Sequence, residues 1–318
     1  MLKTSIPLEP QKTNPDETAR ERNELFQWQI REQTVLQRRV RIFFSSPINT
    51  ISVIFMTVIF ICAFFPENWL PHDPRAISPR DRNIPLFWME GGSTTYILGT
   101  DHLGRDILSR LIFSVRYSLA VMVCAELVSS LSGILTGLAA GFFGGLLDTI
   151  ICRLVDIQLA IPTIVLAIAL MVVLGPGFIN LVLILCIGHW SRITRVVRSS
   201  TLSVKTFDYI EASKALGASN GRIVIRHIFP NVISPILVLI TLGLASILLT
   251  ESALSFLGIG IMPPLSTWGG MIGDGRNHLY EAWWISAIPG IAISLTVLSI
   301  NFLGDGIRDA LDPQMQID

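Results

Sequence analysis

The sequence predicts an all-α, polytopic membrane protein with six transmembrane helices and an amphipathic segment before the first of them. Two observations support this fold class. Of the 318 residues, 51% are hydrophobic and only 15% are charged, with a mean hydropathy of +0.57, whereas soluble domains carry about 25% charged residues. The apolar residues also fall in long blocks, and a helix needs roughly 20 of them to cross a bilayer.

Six apolar blocks follow one another along the chain, and we interpret each block as one membrane span. Two of them contain a proline, Pro162 in the third block and Pro289 in the sixth. Membrane helices tolerate proline because neighbouring groups re-satisfy the freed carbonyl oxygens. The blocks cover residues 48–65, 117–141, 157–174, 178–197, a stretch that begins near 232, and 283–303.

The distribution of Lys and Arg predicts that both termini lie in the cytoplasm, because cytoplasmic loops carry the excess of these residues. The segment before the first block and the loop between the fourth and fifth blocks are both basic. The short loops around Pro176 and Arg276, on the other face, hold one arginine between them, although the longer loop 66–116 holds several. We therefore divide the chain into a cytoplasmic tail (1–46), a first span with an extracytoplasmic segment (47–112), a membrane core (113–305) that includes a cytoplasmic loop (191–230), and a cytoplasmic tail (306–318).

Within the N-terminal tail, residues 18–41 carry apolar side chains among mixed charges. This pattern favours an amphipathic helix that lies on the inner membrane surface. A partly ordered tail is the alternative, and the pattern alone does not separate the two. No small-residue cleavage site follows the first apolar block, so we interpret that block as a span and not as a secretory signal.

The sequence lacks the motifs that bind metals, nucleotides or nucleic acid. Its four cysteines lie in or beside apolar blocks and form no CxxC pair, and its five histidines are scattered. There is no HExxH motif and no GxxxxGK[ST] loop to hold nucleotide phosphates. The formal net charge is zero, which gives no reason to expect nucleic acid. We therefore predict no catalytic residue, no metal site and no cofactor bound by this chain.

A polar island rich in small residues, EASKALGASNGRIVIRHIFP, covers residues 211–230 between the fourth and fifth blocks. It cannot lie in hydrocarbon, so we place it in the cytoplasmic loop. Its small side chains would let a partner approach the backbone closely, and its charged residues would form a polar rim. The alternative for Gly217 is an ordinary helix C-cap. The residues that we assign to a docking surface are Glu211, Ala212, Ser213, Lys214 and Gly217.

A second signature, LGTDHLGRDILSRLIFSVRYSL, covers residues 98–119, just before the second block. Its apolar residues fall on one helical face and its charged residues on the other, which predicts an interfacial helix that leads into the second span. Asp101 is placed to cap the start of that helix. The residues that we single out in this outer motif are Asp101, Gly104, Arg105 and Asp106.

The 211–230 island resembles the "EAA" loop of permease subunits in binding-protein-dependent ABC importers, through Glu211-Ala-Ser, Gly217 and Pro230. It departs from the general family pattern at His227 and Phe229. The 98–119 signature is similar to the C-type permease of the dipeptide, oligopeptide and nickel subgroup. So are the stretches ESALSFLGIG at 251–260 and GDGIRDALDP at 304–313, and the resemblance therefore covers about residues 45–313.

This resemblance implies the fold of a type I ABC importer permease in the bacterial inner membrane. The island would be a short cytoplasmic coupling helix that docks onto a separate ATPase subunit. The implied partners are a second homologous permease, two ATPase subunits or domains that bind ATP and Mg, an extracytoplasmic substrate-binding protein, and membrane lipid. The implied function is import of di- or oligopeptides, with no reaction catalysed by this chain itself.

The second apolar block contains a helix-packing motif and a carboxylate. Gly133, Gly137 and Gly141 recur every four residues, which lets another helix approach closely. Glu126 continues the same face and lies near mid-membrane. Because an intramembrane carboxylate is costly and usually faces protein or water, Glu126 is either a group that lines the translocation path or a hydrogen-bonded packing residue.

The fifth block raises a similar question at Glu251. Residues 232–261 form an apolar stretch too long for one straight span. A span that begins near residue 232 would end close to Glu251, and residues 252–261 would form an interfacial or re-entrant piece. Glu251 would then either line an outer gate or be a helix-end charge in water.

Three alternatives to a peptide importer remain from the sequence. The first is an ABC permease for nickel or another small solute, which the scattered histidines disfavour only weakly. The second is an ion-coupled secondary transporter with Glu126 as its proton site, which would show paired inverted repeats. No convincing repeat is found. The third, an intramembrane hydrolase, would need a Ser/His, paired-Asp or metal arrangement within the spans, and none is visible.

Overall fold

The computed structural model describes residue 37 and residues 40–311, and within that part of the chain the regular structure is helical apart from one isolated bridge between Thr100 and Asp106. The predicted amphipathic segment at 18–41 therefore lies almost wholly outside the described residues. Residues 40–45 are helical and Ser46 precedes the first complete helix. The α-helices are α1 (Pro47–Ala63), α2 (Ile107–Phe143), α3 (Gly145–Leu159), α4 (Thr163–Leu174), α5 (Phe178–Lys205), α6 (Asp208–Ala215), α7 (Asn220–Ile223), α8 (Phe229–Phe256), α9 (Trp268–Gly275) and α10 (Trp284–Leu311).

Four helical stretches in the described chain are long and apolar enough to cross a membrane. They are α2, α5, the continuous stretch Asn220–Phe256 that ends in α8, and α10. The pair α3 and α4 would add a fifth span if the two helices cross together. The remaining span would be α1, which corresponds to the first predicted block at 48–65; its 17 residues reach about 25 Å at 1.5 Å per residue, close to the lower limit for a span. The predicted all-helical membrane fold is confirmed, whereas the count of six stays a prediction.

The third apolar block does not form the single span that we predict at 157–174. The chain bends by 90° between α3 and α4, and Pro162 lies at the break in an extended conformation. Proline cannot donate a backbone hydrogen bond, and it disfavours helical geometry in the residue before it. The helical stretch also begins twelve residues earlier than predicted, at Gly145, because α3 carries charged residues that interrupt the hydropathy signal.

The start of α2 also differs from the prediction. Asp101 does not cap a helix, since α2 begins at Ile107 and Asp106 is its N-cap. The Asp106 carboxylate accepts hydrogen bonds from the backbone N–H of Ser109 at 3.0 Å and from its hydroxyl at 2.5 Å. Both aspartates fit the N-cap preference, and only the folded position of Asp101 among arginines distinguishes them.

The end of α8 corrects the prediction for residues 252–261. No separate piece begins at Ser252, because α8 continues to Phe256 and carries Glu251 inside its last two turns. Gly258, two residues after the end of the helix, has φ +81° and terminates it. The Gly258 N–H bonds to the Ser255 carbonyl at 3.0 Å and the Ile259 N–H to the Leu254 carbonyl at 3.1 Å, the pattern of a Schellman ending.

Helix α2 is central to the fold. Its most extensive contact is with α5, and it also packs against α8, α1 and α3. Helix α10 packs against α8, α9 and α1. The segment between α1 and α2 is held against this helical core: the Trp284 indole N–H donates to the Thr100 carbonyl at 3.2 Å, and the His72 N–H donates to the Ser109 hydroxyl at 3.0 Å.

Candidate functional site

The 211–230 island begins within a short exposed helix, α6, which follows the basic end of α5. One residue anchors it: Ile210 is fully buried in an apolar cluster with Ile223, Ile228 and Val232. This packing holds α6 against the start of α8, so a displacement of α6 would be transmitted directly to that helix. Of the five predicted docking residues, Ser213 is partly exposed. The other four are exposed: Glu211, Ala212, Lys214 and Gly217.

Gly217 ends this exposed helix. It has φ +81°, its N–H bonds to the Lys214 carbonyl at 2.9 Å, and the Ala218 N–H bonds to the Ser213 carbonyl at 3.1 Å. Glycine adopts this left-handed conformation at little cost, so the C-cap interpretation of Gly217 holds. A Cβ atom at this position would meet no atom within 4 Å. The same glycine therefore presents open backbone to the outside, and the capping role does not compete with a docking role.

An exposed apolar patch surrounds α6, and sequence reasoning missed it. Leu216 is 89% exposed and Ile225 is 72% exposed, although both lie in the most polar loop of the chain. Phe207, just before α6, and Tyr209, within it, are also exposed, each by somewhat less than half. Large exposed apolar side chains in a polar loop indicate a surface that a partner covers, because exposing them to water is unfavourable. Their presence inside a polar island was the available signal.

The three glycines of α2 lie directly against α5. A Cβ atom on Gly133, Gly137 or Gly141 would lie 2.7 Å from the Cβ of Ile193, Val197 or Thr201, respectively. The contacted residues of α5 also recur every four positions, so a row of α5 side chains packs against the row of glycines on α2. Between them, the hydroxyls of Thr136 and Thr194 are hydrogen-bonded at 2.9 Å. Small residues of this kind allow helix backbones to approach closely.

Glu126 lies in the interior of the helical bundle, where it is 2% exposed. Its Oε1 accepts a hydrogen bond from the Ser130 hydroxyl at 2.6 Å, and its Oε2 has no hydrogen-bond partner among the described residues. Gly243 of α8 faces the carboxylate so closely that any side chain there would collide with it. The carboxylate thus sits where α2, α5 and α8 converge.

Glu251 is fully buried, which rules out a helix-end charge in water. Its carboxylate accepts hydrogen bonds from the Ser255 hydroxyl at 2.7 Å and from the Ser252 hydroxyl at 3.3 Å. Helix α9 covers this end of α8, with Gly269 set against the backbone of Ser252. Glu251 is therefore satisfied within the end of α8, beneath α9, and it does not come together with Glu126.

The predicted outer motif forms a charge cluster with distant residues. Asp101 is fully buried, forms ion pairs with Arg105 and Arg110, and accepts the backbone N–H groups of Leu103 and Arg105 at 2.8 and 3.0 Å. Burial raises the pKa of Asp101, but the two guanidinium groups and the backbone donors outweigh it and hold the pKa below its usual value. Both arginines also bind Asp274, at 3.0 and 2.9 Å. No local pattern predicted the part played by Asp274, which lies more than 160 positions from either arginine.

No group of three or more His, Cys, Asp or Glu residues that could hold a metal ion occurs in the described part of the chain. The arrangement instead offers three elements: an exposed helix coupled to a membrane helix, a tightly packed helical bundle with buried carboxylates, and an outer segment fastened by charges. These elements define a helical membrane protein whose exposed helix α6 is linked by packing to a membrane-length helix.

Comparison with known proteins identifies the family. Residues 133–317 match the family described as "Binding-protein-dependent transport system inner membrane component", and this chain belongs to that family. It is a multi-pass permease of the ABC importer class. Membership of this family implies a transporter complex with ATPase and other subunits.

Curated relatives span most of the chain. The Di/tripeptide transport system permease protein DppC of Pseudomonas aeruginosa is 40% identical over 264 residues, which cover 83% of this chain and 87% of that protein. The Dipeptide transport system permease protein DppC of Haemophilus influenzae is 38% identical over 266 residues, 84% and 90% of the two chains. The Glutathione transport system permease protein GsiD of Pectobacterium atrosepticum is 38% identical over 263 residues, 83% and 86%.

A solved structure supports the fold. The MetNI methionine ABC transporter in an inward-facing conformation matches with a TM-score of 0.53 at 21% identity, over 64% of this chain and 96% of the matched one. At that identity the likeness establishes the fold alone. The predicted resemblance to a permease of the peptide subgroup is confirmed by the family match and by the curated relatives.

Proposed function

We propose that this chain is one of two homologous permease subunits of an ATP-driven importer of di- or oligopeptides. The observation that carries the substrate class is the 40% identity to a di/tripeptide permease across 83% of the chain. A substrate-binding protein would deliver the peptide to the outer face. Two ATPase subunits or domains would bind ATP and Mg on the cytoplasmic face, so this chain would hold no nucleotide itself.

The exposed helix α6 is the proposed contact with an ATPase subunit. Support comes from the exposed residues of α6, the open backbone at Gly217 and the apolar patch around Leu216 and Ile225. Because Ile210 packs with Ile228 and Val232, movement of α6 would be transmitted to α8. Alternating access would follow from the rearrangement of α8 against α2 and α5.

The energy source is tested by reconstitution of the complex in liposomes. This chain alone should neither hydrolyse ATP nor transport peptide, because no ATPase subunit is present to move the coupling helix. ATP-dependent uptake of trialanine should return when the second permease, the ATPase subunits and the binding protein are added. Uptake should persist after the proton gradient is collapsed with ATP maintained. Proton-driven transport by the isolated chain, lost in Glu126→Gln, would instead support an ion-coupled transporter.

The orientation is a separate proposal, with both termini and α6 in the cytoplasm and the 66–106 segment outside, supported by the basic loops. We expect Thr94→Cys, which is exposed in the outer segment, to react with an impermeant thiol reagent added to sealed cells. Ser219→Cys, exposed next to α6, should react only after the membrane is opened. Both variants need a background without Cys62, Cys124, Cys152 and Cys186. Reaction of Ser219→Cys in sealed cells would reverse the proposed orientation.

A further inference from the structure

A crevice of about 120 Å³ lies between α2, α5 and α8. Its apolar walls include Leu239, Leu242 and Ile193, and four polar or charged side chains reach it. These side chains are Glu126, His189, Arg192 and Ser246. Ligand sites commonly combine apolar walls with a few placed polar groups in this way.

Glu126 lacks part of the hydrogen bonding that a buried carboxylate needs. One oxygen accepts from Ser130, while the other is buried without a partner in the described chain. His189 cannot supply the missing donor, since its ring nitrogens lie 2.9 Å from the Leu185 carbonyl and 3.3 Å from the Ser246 hydroxyl. An unsatisfied buried carboxylate oxygen is costly, so a donor from outside the chain would stabilise the site.

Arg192 adds a second charged side chain to the crevice and indicates the environment at that end of it. It is exposed, and no ion pair among the described residues includes it or Glu126. Arg192 lies 14 positions after Phe178, the first residue of α5, or about 21 Å along the helix. It therefore lies in the basic part of α5, where the predicted cytoplasmic loop (191–230) begins. In the proposed orientation this end of the crevice faces the cytoplasmic side, where a charged side chain can meet water.

We propose that the crevice is a transit site for the charged ends of a zwitterionic peptide. The Glu126 carboxylate receives the α-ammonium group, which brings N–H donors to the unpartnered oxygen, and Arg192 receives the carboxylate end. Gly243 packs directly against the Glu126 carboxylate, and a side chain there would displace it, so the glycine lets Glu126 keep its place at the wall of the crevice. The inference deepens the proposed peptide import and rests on it.

The first test needs no mutation. The purified, nucleotide-free complex is treated with a hydrophobic carbodiimide, which modifies buried carboxyl groups, and the modification of Glu126 is followed by mass spectrometry. Trialanine at about ten times its dissociation constant should slow this modification about tenfold, because only unoccupied sites react. N-acetyl-trialanine, which lacks the ammonium group, should leave the rate unchanged. Modification at Glu251 gives the internal control, because that carboxylate already has its partners within the chain.

A matched pair of arginine variants tests the second charge. Arg192→Gln should reduce the protection by trialanine severalfold, whereas Arg153→Gln, an exposed arginine on α3, should leave it intact. Equal protection by trialanine and N-acetyl-trialanine would overturn the proposal. So would a Glu126 that reacts in the isolated chain but not in the assembled complex with or without peptide, because the crevice would then be a subunit contact.

Uptake by the same complex tests the proposed peptide import separately from the proposed transit site. If the unmodified complex does not import trialanine, the proposed peptide function fails. If it imports trialanine with no protection of Glu126, only the transit site fails. In the import assay, Glu126→Gln should raise the KM for trialanine severalfold and retain transport, and Glu126→Asp should restore most of the difference, which a merely structural role would not predict.

Discussion

Replacing Gly217 with tryptophan should reduce ATP-driven uptake to background while the chain still inserts into the membrane. The indole would project from open backbone at the end of α6, where a Cβ atom meets no other atom of this chain within 4 Å. The folded chain can therefore hold the side chain, but a partner seated on α6 cannot. Disrupting the centre of an interface typically costs about 2 kcal/mol or more, which corresponds to roughly a thirtyfold weaker contact.

Backbone strain must be separated from the loss of docking. Gly217 has φ +81°, so any other residue there carries a cost of roughly 1 kcal/mol in this chain alone. Gly217→Ala carries that strain without the bulk and should retain most of the uptake. Copurification of the ATPase subunits should be lost with tryptophan and kept with alanine. Normal uptake by Gly217→Trp would show that α6 is not the docking helix.

A charge reversal gives an independent approach to the same surface. Glu211→Lys keeps an exposed, helix-compatible side chain and introduces no backbone strain. It should also weaken copurification of the ATPase subunits if Glu211 belongs to the polar rim of the contact. If copurification is unchanged, Glu211 does not belong to the docking surface. The role of Gly217 would then depend on the tryptophan and alanine variants alone.

The helical membrane fold could be predicted because long apolar blocks separated by basic loops carry a strong local signal. The α2 glycine repeat and the polar island were visible for the same reason, since each is contiguous in sequence. The bend between α3 and α4 was not predicted, because a proline is compatible with both a straight and a broken span. Tertiary contacts decide between the two.

The parts of the site that depend on distant residues could not be predicted. The sequence grouped Asp101 with Arg105, but the fold adds Arg110 and Asp274 and thereby moves Asp101 from a capping role into an ion-pair cluster. Glu126 and Arg192 stand 66 positions apart and come to one crevice only because α2 and α5 pack tightly along their length. Periodicity shows which face of a helix is polar, but not which other helix meets it.

That tight packing makes Gly137 the position where a substitution should most damage the fold. A Cβ atom on Gly137 would lie 2.7 Å from the Val197 Cβ and 2.8 Å from the Thr194 carbonyl oxygen, so the two helices must separate to admit it. Gly137→Ala should lower the thermal stability of the purified complex clearly, and Gly137→Leu should abolish folded protein, because overpacking costs about 1–3 kcal/mol or more.

Gly290 provides the matched control, since it lies inside α10 and its Cβ atom would have only the end of the Ile272 side chain nearby, at 3.9 Å. Gly290→Ala carries the same added methyl group and should leave thermal stability near that of the parent. Size-exclusion chromatography and a melting curve in detergent measure both variants. The glycines at 133 and 141 make the same close contacts one turn away on either side, so the helices cannot relieve the strain at 137 by pivoting. If Gly137→Leu proved as stable as Gly290→Ala, the α2–α5 contact would have to be looser than the geometry indicates, and the crevice at Glu126 would lose the rigid frame that positions its charges.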